Sequence, residues 1–312
     1  MIFIDLKTKK QVSEPDAPLA IALGYFDGVH LGHVELISVM KQEAEKKALK
    51  TAVWTFAQPL TNTVSFVKKG PLLTTAEEKL AIFKEFGLDY AIFVDFNSVR
   101  NLSPENFVYF MLHKRCRCEL AVCGFNFRFG AGASGDAEQL VSLMRNVGGY
   151  AKVVPPVTRG KRIVSSSVIR GFIENGEMES AAEFLGRPFS IYFPVVRGNM
   201  LGRKIGIPTI NQNFPPNHII PRPGVYCCTC NIEGSIFLGV ANIGIRPTVN
   251  NESLVPNCET HIINYSGLLY GKKIKVTFYH RLRDEKRFSD IEALRTAVKK
   301  DIEDTIVYFS DK

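Results

Sequence analysis

Two histidines three residues apart, His30 and His33, stand in the run Gly24-Tyr25-Phe26-Asp27-Gly28-Val29-His30-Leu31-Gly32-His33. The run follows an apolar, strand-like segment, Leu19–Leu23, and leads into an amphipathic helix. A helix start of this kind offers free N–H groups and the positive end of the helix dipole, which together suit a phosphate. Gly32 lets a ligand approach the backbone, and the imidazoles add donors where charge builds on a transferring phosphoryl group. Two later stretches repeat the theme. In Gly124-Phe125-Asn126-Phe127-Arg128-Phe129-Gly130, Asn126 and Arg128 are donors for a phosphate or base, and the phenylalanines suit a flat ring system. Ser165-Ser166-Ser167-Val168-Ile169-Arg170 opens another helix. Its hydroxyls serve either as helix caps or, with the Arg170 fork, as phosphate ligands.

A fourth stretch lies in the second half, from Gly198 to Asn211. Gly202, Arg203 and Gly206 form a loop whose N–H groups and cation fit over nucleotide phosphates. Thr209 and Asn211 are alternate residues of an extended segment, placed to give two oxygens to a magnesium ion bridging those phosphates. An ordinary glycine-rich hairpin is the plainer alternative. Glu259, in Cys258-Glu259-Thr260-His261, reads alone as the solvated face of a strand. Beside a metal–ATP site it becomes a general base for a primary alcohol.

The elements that must position these residues are legible. Apolar strands are predicted at Leu19–Leu23, Ala52–Phe56, Tyr90–Val94, Leu120–Cys123 and Ala151–Val154. Helix starts are marked by Thr75 with Glu78, Ser103 with Pro104, and Asp136 with Gln139. Ile37, Met40, Ala44 and Ala48 form the apolar face of the first helix. Strand–helix alternation predicts an α/β domain with a doubly wound parallel sheet, whose ligands bind beyond the carboxyl ends of the strands. After Gly176 the character changes: two short helical stretches, ending at Gly176 and Gly186, lead to short strands at 191–196, 224–232, 236–242, 259–265 and Lys273–Arg283, with Glu233-Gly234-Ser235 as a hairpin turn. In Lys273–Arg283 the alternation puts Ile274, Val276, Phe278, His280 and Leu282 on one face. A closing helix over 289–308 completes a small antiparallel β-barrel. The domains are therefore set at 1–186 and 187–312.

Composition narrows the class. With 312 residues, 46% hydrophobic and 22% charged, the chain reads as a globular protein of two domains. The apolar runs are too short to span a bilayer and no secretory leader is visible, so a cytoplasmic location is expected. Seven cysteines, an odd number, read as buried free thiols. The net charge of +8 comes from scattered Lys and Arg, which favours phosphorylated small molecules over nucleic acid. Neither nucleic acid nor membrane is expected as a partner, and oligomeric state is not legible.

The motifs, taken in order, resemble a known family. The form G-x-F-D-G-V-H-x-G-H, with the G-x-x-F-R-F-G type of loop and S-S-S-x-I-R, is similar to the nucleotidyltransferase domain of bacterial bifunctional FAD synthases, which joins AMP from ATP to FMN. The resemblance implies that His30 and His33 stabilise the α-phosphate and that Asn126 touches the ATP phosphates. It implies that Ser166, Ser167 and Arg170 hold the leaving pyrophosphate, while Gly24, Phe26, Asp27, Gly28 and Gly32 line the nucleotide, Asp27 at its substrate end. The later stretch G-x-x-x-G-R-x-x-G-x-P-T-x-N, with G-V-Y at 224–226, N-I-G-x-R-P-T at 242–248, E-T-H-I at 259–262 and L-R-x-E-x-x-F at 282–288, resembles the riboflavin kinase domain, a six-stranded barrel. There the resemblance implies Mg²⁺ on Thr209 and Asn211, Glu259 as base, and Gly202, Arg203 and Gly206 over the phosphates. Arg283, Glu285 and Phe288 belong to a loop that closes on the flavin. The implied activities are phosphorylation of riboflavin and adenylylation of FMN to FAD. Gln58 replaces the histidine of a usual Pro-His-Pro, Ser167 a common threonine, Asn199 a frequent Asp and Ile210 a frequent Ala. Two alternatives stand beside this reading: retention of only one activity, and a flavin- or nucleotide-sensing module without turnover.

Overall fold

The computed structural model describes residues 2–5, 15–56, 70–198, 202, 206–248 and 251–310. Packing divides the chain into two compact units, residues 1–166 and 167–312. The Gln58 and Arg203 positions lie outside the described residues, as does Asn199.

In the first unit the order is β1 (Ile2–Asp5), β2 (Leu19–Leu23), α1 (Leu31–Lys46), β3 (Lys50–Phe56), α2 (Ala76–Glu85), β4 (Tyr90–Val94) and α3 (Phe96–Val99). Then come α4 (Pro104–Asn106) with a π-helical continuation Phe107–Arg115, β5 (Cys118–Gly124), β6 (Arg128–Phe129), β7 (Gly135–Asp136), α5 (Ala137–Asn146), β8 (Tyr150–Val154), β9 (Thr158–Arg159) and β10 (Arg162–Ile163). Six strands form one sheet in the order β1-β4-β3-β2-β5-β8, every pair parallel. All five predicted strands are present, and β1 extends the sheet beside β4. Both faces are packed, as a parallel sheet requires: Leu19, Ile21 and Trp54 belong to one core, Ala20, Ala22, Ile37 and Met40 to the other. From β2 the chain winds outward to β3 and β4, then returns to β5 on the other side of β2. The crevice between the carboxyl ends of β2 and β5 is thus the topological switch point.

The predicted helix starts are in place. Thr75 and Glu78 form a reciprocal capping box, Ser103 Oγ accepts from Asn106 N, and Asp136 accepts from Gln139 N. Ala48 departs from expectation. α1 ends at Lys46, and Ala48 is exposed with φ +51°, so it turns the chain toward β3 instead of packing on the helix face.

The second unit contains α6 (Ser166–Asn175, from its second residue), α7 (Met178–Leu185), β11 (Ser190–Pro194), β12 (Thr209–Asn213), β13 (Gly224–Ile232), β14 (Ser235–Thr248), β15 (Asn251–Ile262), β16 (Lys273–Arg283) and α8 (Ile291–Ser310). α6 and α7, grouped by sequence with the first domain, pack here: Arg222 N donates to Ile173 O and Glu179 bonds His280. The sheet order β11-β16-β13-β14-β15-β12 is antiparallel throughout, and a Val196–Asn211 bridge nearly closes it into a barrel. Inside, the buried Gln212 side chain donates to Phe193 O and Ile274 O, tying β12 to β11 and β16. The turn at Glu233 (φ +52°) and Gly234 (φ +91°) is a two-residue hairpin with both central residues left-handed.

The predicted face of β16 holds only as far as Phe278. Register shifts opposite Val225/Tyr226 and Cys227/Cys228 reverse the alternation, and His280 emerges half-exposed against Glu179 and Tyr308. All seven cysteines are free and buried. Cys227 and Cys230 stand at C-x-x-C spacing, but three residues along a strand puts them on opposite faces.

Candidate active sites

The first site grows from the end of β2. Gly24 N still donates to Trp54 O, after which the chain turns sharply, with φ +53° at Phe26, +80° at Gly28 and +40° at Val29. For a phenylalanine and a β-branched valine this is a backbone conformation adopted only under constraint. The constraint is visible. Asp27, 1% exposed, accepts from the backbone N–H of Leu73 and Thr74 through Oδ1, at 2.9 and 3.2 Å. Gly28 N donates to Thr74 Oγ1 at 2.9 Å. Asp27 therefore clasps the 73–74 segment from within the fold.

The turn delivers His30 to the N-cap of α1 and His33 to its first turn. Their rings stack with centroids 3.7 Å apart at 18°, and Phe26 lies against His33 at 4.9 Å. A Cβ on Gly32 would stand 3.1 Å from His30 Cε1, so glycine leaves room for that imidazole. Ser166, the first residue of α6, donates its hydroxyl to Asp27 O at 3.0 Å. The last residue of the first unit is thus tied to the turn that carries His30. Ser167 is exposed and Arg170 half-buried on the same α6 helix.

Asn126 is exposed in the loop after β5, the strand paired with β2. Phe125 N donates to Val154 O and Phe127 N to Gly124 O, which fixes the loop's exit. Arg128 is exposed and faces Asp136 at 3.7 Å. Phe127 and Phe129 stack in parallel at 5.6 Å. Lys79 was not singled out by sequence, yet it is buried beneath this turn with Nζ on Tyr25 O at 2.8 Å. Its signal was the i, i+4 spacing to buried Phe83, which puts a lysine on the apolar face of α2.

The second site is written in strand register. Asn211 on β12 lies opposite Glu259 on β15, and Glu259 lies opposite Asn242 on β14. Directly opposed residues share a face, so the three form one row across the barrel wall. Thr209 occupies the same face two residues from Asn211, opposite His261. Asn211 is buried, and Asn257 Nδ2 donates to its Oδ1 at 3.2 Å. Gly198 presses on the same side chain: a Cβ there would meet Asn211 Nδ2 at 2.5 Å. Ile207 N donates to Gly202 O, and a Cβ on Gly202 would stand 3.4 Å from Thr209 Oγ1. Gly206 takes φ +76°.

At the far end of the row, Asn242 Nδ2 donates to Glu285 Oε1 at 3.2 Å. Arg283 reaches the buried Asp301 of α8 through two parallel bonds, Nε at 2.8 Å and Nη2 at 2.7 Å, and its guanidinium lies 5.8 Å from the Phe288 ring centroid. Thr305 Oγ1 in turn donates to Asp301 O. Asn257 and Asp301 are contributors that sequence reasoning passed over, and Asn242 was noted only as the first residue of a motif. Among the described residues no cluster of three His, Cys, Asp or Glu is placed to hold a metal. The neutral oxygens of Thr209 and Asn211 suit a hard cation whose charge is balanced by a bound polyphosphate.

Two family matches fall on the two halves. Residues 12–168 match the FAD synthetase family and residues 185–309 the riboflavin kinase family. A bifunctional riboflavin kinase/FMN adenylyltransferase of Bacillus subtilis is 35% identical over 306 residues, covering 96% of this chain and 95% of its own. The Escherichia coli K12 protein of the same name is 32% identical, covering 92% and 91%. The chain belongs to this bifunctional family. A crystal structure described as a macrolide-efflux protein from Streptococcus pneumoniae superposes with a TM-score of 0.84 at 29% identity, over 98% of this chain and 99% of that one. Among the described residues no helix is long and apolar enough to cross a membrane.

Proposed function

We propose that this chain makes FMN from riboflavin in its barrel and FAD from FMN in its α/β unit, using ATP in both. The functional boundary proposed is residue 186, with 1–186 serving adenylyl transfer and 187–312 the kinase. One observation carries the reading. The stacked His30–His33 pair at the start of α1, and the Thr209–Asn211–Glu259 face, occur in a single chain in family order.

In adenylyl transfer an FMN phosphate oxygen attacks the α-phosphorus of ATP as the bond to pyrophosphate breaks. No group on the protein is modified. His30, His33 and the α1 N-terminus offset the charge growing on the α-phosphate, while Asn126, Ser166, Ser167 and Arg170 hold the other phosphates. In the kinase, Glu259 takes the proton of the ribityl 5′-hydroxyl as its oxygen bonds to the γ-phosphorus and ADP leaves. Thr209 and Asn211 would hold Mg²⁺, which would supply charge neutralisation. Gly202, Arg203 and Gly206 cover the phosphates, and Arg283, Glu285 and Phe288 close on the flavin. Seven buried free thiols support a cytoplasmic home.

The sites separate by mutation. His33→Ala should lower FAD formation from FMN by about 10²-fold or more and leave FMN formation unchanged. Glu259→Ala should do the reverse. Parallel loss of both activities in either variant contradicts two separate sites.

A further inference from the structure

Lys79 lies at the hub of the contacts that shape the first site. It is 3% exposed on α2, with Nζ 2.8 Å from Tyr25 O and 4.4 Å from the Tyr25 ring centroid. The same carbonyl accepts from the buried Thr55 hydroxyl at 2.8 Å. Two donors on one oxygen fix the plane of the Tyr25–Phe26 peptide. The next residues are those with left-handed φ, Phe26, Gly28 and Val29. Phe26 then packs on His33, and His33 on His30. A single unbroken path therefore runs from the lysine to both imidazoles, in three contacts and one peptide bond.

The charge has no structural excuse. Burying an ammonium is unfavourable, and a methionine would fill similar space without that cost. Burial pushes the Lys79 pKa down to about 8, against the opposing pull of Asp27. Asp27 on the turn is the charge that faces it, and Glu78 beside it on α2 is committed to the Thr75 cap. An ammonium donates a stronger hydrogen bond than a neutral amine or a hydroxyl. Its hydrogen bond falls on the carbonyl that precedes the left-handed residues of the turn.

We propose that Lys79 is a positioning residue for adenylyl transfer, its buried ammonium holding the Tyr25 carbonyl and thereby the Phe26–Val29 turn in the conformation that presents His30 and His33 to the α-phosphate. The inference rests on the adenylyl-transfer reading above. It adds a residue outside the phosphate-binding motifs, with a chemical reason for being lysine.

The test is kcat for FAD formation from FMN and Mg-ATP across pH 6.5–9.5, with the full-length wild type, Lys79→Met, Lys79→Arg and Thr55→Val. Wild-type kcat should fall several-fold as pH passes about 8, with KM for ATP little changed. At pH 7 Lys79→Met should lose about tenfold or more in kcat and show no such fall, since misplacement by a fraction of an ångström is costly. Lys79→Arg should keep more activity than Lys79→Met and lose the fall at pH 8. Thr55→Val should lose activity yet keep that fall. FMN formation by the same preparations should not change. A wild-type profile flat through pH 8 overturns the inference without any variant, and so does Lys79→Met at wild-type kcat. A wild type that makes no FAD overturns the functional reading and this inference together.

Discussion

Replacing Gly198 by alanine should disable the kinase alone. The added Cβ would stand 2.5 Å from Asn211 Nδ2 and 2.6 Å from its Cγ, where ordinary contact begins at 3.4 Å. Asn211 must then yield by about 0.9 Å. Its freedom to do so is small: the residue is buried, its backbone carbonyl accepts from Val196 N, and Asn257 holds its Oδ1. If Asn211 orients the phosphates as proposed, a displacement of this size costs about 10²-fold in rate, or about 2.7 kcal/mol. Gly198 has no left-handed φ, so the substitution adds no backbone strain to confuse the result. The assay is initial-rate formation of FMN from riboflavin and Mg-ATP, run beside FAD formation from FMN. FMN formation should drop about 100-fold with FAD formation intact. A Gly198→Ala enzyme within threefold of wild type in FMN formation would refute the assignment of Asn211 to the phosphate–metal face.

Three further outcomes follow from the same geometry. Asp301→Ala strips Arg283 of a bidentate partner; because the guanidinium remains 21% exposed it rehydrates in part, and the loss should be about 2–3 kcal/mol. The urea midpoint of the barrel, followed by circular dichroism, should fall and KM for riboflavin should rise; an unchanged midpoint speaks against the contact. Asp27→Ala should orphan the Leu73 and Thr74 donors at about 1–3 kcal/mol, whereas Asp27→Asn, which keeps an acceptor oxygen, should retain most stability; equal loss in both would mean the charge matters instead. For Lys79 the folded pKa, about 8, lies below the ordinary 10.5, so the unfolded chain binds more protons between those values and stability rises with pH across that window. The penalty, up to about 3 kcal/mol, is fully present below pH 8. The single tryptophan, buried Trp54, reports unfolding of the first unit, and a pH slope identical in wild type and Lys79→Met contradicts the burial argument.

What the sequence made legible was local chemistry. Thr75 with Glu78, Ser103 with Pro104 and Asp136 with Gln139 named helix starts because a cap and its partner lie within one turn. The parallel sheet followed from five apolar strands; His30 with His33, and Thr209 and Asn211 with Glu259, were candidates by motif, and the structure puts the first pair in one stack and the other three on one face. What stayed hidden depends on distant partners. Asp301 meets Arg283 across 18 residues, Asn257 meets Asn211 across 46, and Lys79 meets Tyr25 across 54. A bulge count cannot be read from alternation, so His280 was placed on the wrong face. β1 is too short for a periodic signal.

The central claim is that one chain carries out both steps in sequence. The measurement is chromatographic resolution of flavins after incubating the purified protein with Mg-ATP and riboflavin, and separately with FMN. Riboflavin should be converted to FMN and then to FAD, and FMN alone should be converted to FAD. FMN accumulating from riboflavin with no FAD in either reaction, or flavins left unchanged despite binding, would contradict it.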